Sequence, residues 1–179
     1  MRIIGKNSIL YWSKYPFLVC TIGFMASSAW ICGLIVLQLI TGKFHSLVTV
    51  ENINEYKIIQ FKYPFSQMVF TAENSTEGIL LAFWGLISVS FVLLYSLRII
   101  RQFANDHIFS SKVVTDFKTL SMGFIIFASV ILFIDLTVER SNYDFTLPLW
   151  YMLAGFVLLF IKEIVDQGKI LQDQTDLTI

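Results

Sequence analysis

Four long apolar runs divide the chain, at about residues 17–40, 78–97, 120–138 and 147–164. An α-helix rises 1.5 Å per residue, so each run is close to the roughly 20 residues needed to cross a hydrocarbon core of about 30 Å. Few polar residues interrupt them. The 179 residues are 56% hydrophobic and only 15% charged, where a soluble domain of this size carries about 25% charge. The sequence therefore predicts an all-α membrane protein. It would be one domain, a four-helix transmembrane bundle with a small β-rich outer loop at 41–77, an inner loop at 98–119 and a tail at 165–179. The first run follows Arg2, Lys6 and Lys14 and contains Ala26-Ser27-Ser28-Ala29, as a cleaved signal would. Its apolar sequence continues to Ile40, well past a normal signal core, so a retained anchor is expected.

The gaps between the runs alternate in charge. Arg2, Lys6 and Lys14 precede the first run, Arg98, Arg101, Lys112 and Lys118 fill the second gap, and Lys162 and Lys169 close the chain. The other two gaps hold only Lys43, Lys57, Lys62 and Arg140. Basic residues collect on the cytoplasmic side, so both termini are expected there. Tyr11, Trp12 and Tyr15 before the first span, and Trp150 and Tyr151 at the start of the fourth, suit the headgroup layer. Thr146 and Pro148 read as the cap and first-turn proline of the fourth helix. The net charge of zero gives no electrostatic basis for binding nucleic acid directly.

Within the first run, Gly23 and Ser27 form a small-xxx-small pair, read as helix packing inside the bundle. Cys20 and Cys32 would lie about 18 Å apart along one helix, too far to bridge, and read as small packing residues. In the outer loop, 46–50 and 57–65 read as strands joined near Asn52–Glu55, with Pro64 favouring an edge position. Asn74-Ser75-Thr76 fits a glycosylation sequon, a weak signal. Glu73 and Glu77 read as solvated surface. The second helix should run past the membrane to Asn105-Asp106, with Arg98 and Arg101 on a polar stripe. Ser110 or Ser111 should cap a new helix whose apolar face is Val113, Val114, Phe117 and Leu120.

Asp135 is an acidic residue inside the third run. Such a residue is either a structural carboxylate, interfacial or paired with Arg140, or a group that takes a ligand or a proton. Its place about one turn from the outer end suggests access to water. Lys162 and Glu163 are read as snorkelling, with Arg98 as a partner. No metal or cofactor motif is present. His45 and His107 fall on opposite sides, and neither HExxH nor GxSxG occurs, so an enzyme is not expected.

Two segments carry more specific sequence. One runs from Leu97-Arg98-Ile99-Ile100-Arg101-Gln102-Phe103 through Asn105-Asp106-His107-Ile108-Phe109 to Lys112-Val113-Val114-Thr115-Asp116-Phe117. The other is the end of the chain, from Ile164 through Gly168 to Asp176-Leu177-Thr178-Ile179. Together they resemble the YoaS-like bacterial membrane proteins catalogued as domain of unknown function 2975. Such proteins have a basic helix end, an Asn/Gly-Asp-x-Phe turn and a Leu-Thr-Ile ending. This chain departs from them at His107, where Pro is frequent, and at Ser111-Lys112-Val113, where Glu-Asn-Val is common. The resemblance implies a bacterial inner-membrane location. It also implies a companion role to a small Cro/C1-type transcription regulator in the cytoplasm.

The resemblance implies no enzymatic activity. On this reading the candidate functional or partner-docking residues are Asp135, Arg98, Arg101, Asp106, Phe109, Asp176, Leu177, Thr178 and Ile179. The expected function is regulatory or sensory. The alternative is an immunity or resistance factor, or a small transporter component, binding a peptide or lipid in the bundle. The lipid bilayer is the expected environment, and a homo-oligomer is left open.

Overall fold

The computed structural model describes residues 8–41, 47–53, 56–63, 67–137 and 145–176. In chain order the elements are α1 (Ile9–Thr41), β1 (Val48–Ile53), β2 (Tyr56–Lys62), β3 (Val69–Glu73), α2 (Thr76–Ala104), α3 (Ser111–Thr137) and α4 (Thr146–Asp176). All four helices are long and apolar enough to cross a membrane. Val19, Ile126, Phe133, Phe156 and Phe160 are among the large apolar side chains they leave exposed.

Each helix is longer than its apolar run. α1 starts at Ile9 and continues through Pro16, so the basic lead belongs to the same helix. Ser8 caps it, accepting from the Tyr11 N–H at 3.2 Å. α2 starts behind Ser75, whose hydroxyl oxygen accepts from the Gly78 N–H at 3.0 Å. That capping bond gives the sequon triplet a local structural role. α4 begins at Thr146 itself, so the expected cap there is displaced by one residue, while Pro148 does fall in the first turn. The tail is no separate segment, because α4 runs unbroken to Asp176.

The outer segment is a three-stranded antiparallel meander in the order β1-β2-β3. β1 and β2 form the expected hairpin, with Ile53 opposite Tyr56. β2 is the central strand, contrary to the edge position inferred from Pro64. The strand ends at Lys62, so the proline never enters the ladder, and Pro64 itself lies outside the described residues. β3 supplies the second partner, with Phe61 opposite Phe70 and Ile59 opposite Ala72. Val48, Ile59 and Phe61 are buried against Ile31 and Ile35 of α1 and Leu86 of α2.

The extensive helix contacts join chain neighbours: α1 with α2, α2 with α3, and α3 with α4. Successive helices run antiparallel, so the starts of α1 and α3 and the ends of α2 and α4 share one end of the molecule. The sheet lies at the other. A second apolar cluster fills the end away from the sheet, where Ile99 of α2, Val113, Phe117 and Leu120 of α3, and Val165 of α4 meet. Gly123 lets the Phe91 ring of α2 lie directly on α3. Gly155 lets α4 approach the Ser121 carbonyl of α3. By contrast, a side chain added at Gly23 would meet nothing within 4 Å, so among the described residues Gly23 does not close a helix contact.

Candidate functional site

The α2–α3 seam can be followed residue by residue. Trp84 meets Phe127 edge-on with ring centroids 5.5 Å apart, and Phe91 meets the same Phe127 at 5.4 Å. Further along, Arg98 and Gln102 both reach Asp116. On α2 these residues, Trp84, Phe91, Arg98 and Gln102, follow one another at steps of seven, seven and four residues, whole turns that keep them on one helix face turned to a neighbour.

At the end away from the sheet the seam closes in a polar junction. Asp116 has only 7% of its side chain exposed, and its Oδ1 lies 3.6 Å from Arg98 Nε. Its Oδ2 accepts a hydrogen bond from Gln102 Nε2. Both carboxylate oxygens are thus engaged by the preceding helix, which satisfies a charge that burial alone would penalise. The Ser110 hydroxyl lies 3.4 Å from Gln102 Oε1 and 3.4 Å from the Val113 N–H, tying this junction to the start of α3. The Arg98 guanidinium also stands 5.2 Å from the Tyr95 ring.

The turn between the helices is fixed by backbone geometry. Asp106 has φ 64°, the left-handed conformation that ends many helices. The His107 N–H donates to the Gln102 carbonyl at 3.0 Å and the Asp106 N–H to the Phe103 carbonyl at 3.3 Å. This pair of bonds is a Schellman closure with Asp at the position glycine usually takes. Past the turn, the Phe109 ring lies directly over Gly168 of α4, and any Cβ at that glycine would collide with the ring. The two sequence-specific segments are therefore in contact, through an aromatic ring and the one residue type that leaves room for it.

Of the candidate residues, Arg98, Asp106 and Phe109 belong to this junction, and Arg101 is exposed in the last turn of α2. Asp176 ends α4, while Leu177, Thr178 and Ile179 lie outside the described residues. Arg98 does not pair with Glu163: Lys162 Nζ takes both Glu163 and Asp166 at 3.1 Å, and Arg98 takes Asp116. Asp116, Gln102 and Gly168 were not picked out as site residues. The available signal for Asp116 was a carboxylate set among Val113, Phe117 and Leu120, on a face otherwise apolar.

Asp135 lies at the opposite end of the seam. It is buried with 4% exposure rather than open to water, because it continues the Phe127–Ile131 stripe that faces α2. Among the described residues its Oδ1 has no hydrogen-bond partner. Arg140, its expected partner, lies outside them. Moving two turns outward from Trp84 and Phe127 brings Glu77 of α2 to the level of Asp135. Glu77 is buried as well, with 6% exposure, and is not the solvated surface residue its sequence position suggested. Between the two ends, Ser88 donates to the Gly85 carbonyl at 2.9 Å. Its single proton is thereby committed, so Tyr151 of α4 donates to Ser88 Oγ across 2.9 Å.

Among the described residues no group of three or more His, Cys, Asp or Glu side chains is placed to hold a metal ion. Cys20 and Cys32 are free. No family model, curated protein or solved structure matches the chain.

Proposed function

We propose that the chain is a four-span protein of a bacterial inner membrane with both termini in the cytoplasm, acting as a regulatory or sensory component. The α2–α3 turn and the end of α4 would together present a cytoplasmic surface to a small DNA-binding regulator of the Cro/C1 type. The observation that carries this reading is the Phe109 ring seated over Gly168. It makes one surface of two segments 59 residues apart in the chain. On its α4 side, exposed Ile170 and Leu171 beside the acidic Asp173 form an apolar and negative patch suited to a basic partner. The YoaS-like resemblance supports the same assignment.

The test is pull-down of a small Cro/C1-type regulator from the same cells by the tagged full chain in membranes. Gly168→Leu should displace Phe109 and reduce recovery of the regulator while membrane insertion stays normal. Unchanged recovery with Gly168→Leu and with residues 168–179 deleted would remove this surface as the docking site.

A second reading has its own observation, the buried Asp135 carboxylate at the sheet end of the seam. There the bundle would bind a peptide or lipid, as an immunity factor or transporter component does. Asp135→Asn at normal expression should then lower protection or transport in cells; full activity in that variant would exclude it.

A further inference from the structure

Beside the Arg98–Asp116 pair, the α2–α3 hairpin forms a cleft of about 360 Å³ lined by Arg98, Gln102, Ser111, Lys112, Thr115 and Asp116. Its charges are unequally occupied. Asp116 spends one oxygen on Arg98 Nε and the other on Gln102, so it offers little negative charge to the cleft. Arg98 uses its Nε edge for that pair and leaves 59% of its side chain exposed. Lys112 and Ser111 are exposed at the rim. Ser110 accepts from the Val113 and Val114 N–H groups, and the earlier N–H groups of α3 have no partner within the helix. Arg98 and Asp116 offset each other in charge, so Lys112 supplies the net positive charge; that cation, the free edge of the Arg98 guanidinium and a hydroxyl donor around a cleft of this size suit a phosphate.

The depth of the cleft decides which phosphate. Counting from Thr76 at the sheet end of α2, Arg98 lies about 33 Å along the helix at 1.5 Å per residue. That is close to the roughly 30 Å thickness of a hydrocarbon core, with the headgroup layer immediately beyond. Lys112 lies past Arg98 on the same side. The cleft therefore opens at headgroup depth, where lipid phosphates are concentrated.

We infer that this cleft binds the phosphate of an anionic phospholipid headgroup, with Arg98 and Lys112 as its counter-charges and Ser111 as a donor. This requires the helices to cross a membrane but does not depend on any protein partner. The test is calorimetric titration of the detergent-purified full chain with dihexanoyl-phosphatidylglycerol, dihexanoyl-phosphatidylcholine and inorganic phosphate. Phosphatidylglycerol should bind about tenfold or more tighter than phosphatidylcholine, and Lys112→Gln should weaken it about fivefold, the effect of one interfacial cation. Lys112 is exposed, so this variant should fold, and Lys57→Gln in the distant sheet should bind as the parent does. Equal affinity for the two lipids would overturn the inference. So would equal losses in the Lys112 and Lys57 variants, or inorganic phosphate binding as tightly as phosphatidylglycerol, which would mark a site for soluble anions.

Discussion

A buried carboxylate whose two oxygens are both engaged makes its partners unequal. If Arg98 is lost, Asp116 stays behind, buried and half satisfied; if Asp116 is lost, Arg98 turns to water. Arg98→Gln should therefore destabilise the chain by about 1–3 kcal/mol, and adding Asp116→Asn should recover much of that loss. Urea denaturation in mild detergent, followed by tryptophan fluorescence, checks this; a double variant no more stable than Arg98→Gln would contradict it. The neighbouring turn was readable beforehand, because Asn-Asp after a helical pattern marks a helix end through purely local chemistry. Asp116 was not, because its partners lie 14 and 18 residues upstream on another helix. A charge on an apolar face announces that it needs partners without naming them. Glu77 and Glu73 show the same limit, since two glutamates four apart look alike in sequence, yet only Glu77 is buried.

Helix existence was legible because an apolar run of membrane length admits few alternatives. Helix contact was not. Gly23, Gly123 and Gly155 are equally small, and only their neighbours separate them. Gly23 faces open space, whereas a Cβ on Gly155 would stand 3.1 Å from the Ser121 carbonyl oxygen, a backbone atom unable to swing aside. Gly155→Leu should then force α3 and α4 apart and cost about 1–3 kcal/mol, while Gly23→Leu should leave the isolated chain nearly unchanged. Thermal unfolding of both variants in the same detergent would expose an error if their losses were similar. In the sheet, the hairpin was read from its alternating strands, but β3 was missed. Only Phe70 and Ala72 of its five residues point toward the core, too brief an alternation to register before the α2 cap begins.

At the scale of the whole chain, two apolar clusters lie at opposite ends, and α2 is the element common to both. Phe61, fully buried beneath the sheet, belongs to one of them; Phe117 belongs to the other. Phe61→Ala should cost about 3–5 kcal/mol at its own cluster. Hydrogen exchange should then quicken in β1–β3 while amides of 99–120 keep their protection. Equal quickening at both ends would show a single cooperative unit. Four spans predicted a shared end for both termini, and the antiparallel succession of helices agrees with that arrangement. The unbroken length of α4 adds a mechanical consequence. Its 31 residues span about 46 Å, roughly 16 Å more than a hydrocarbon core. A helix that tilts to match bilayer thickness carries such an overhang like the arm of a lever, and about 10° of tilt sweeps that extra length sideways by about 3 Å. With α4 across a bilayer, thickness would become a displacement at the far tip, in a segment that carries the glycine on which Phe109 rests.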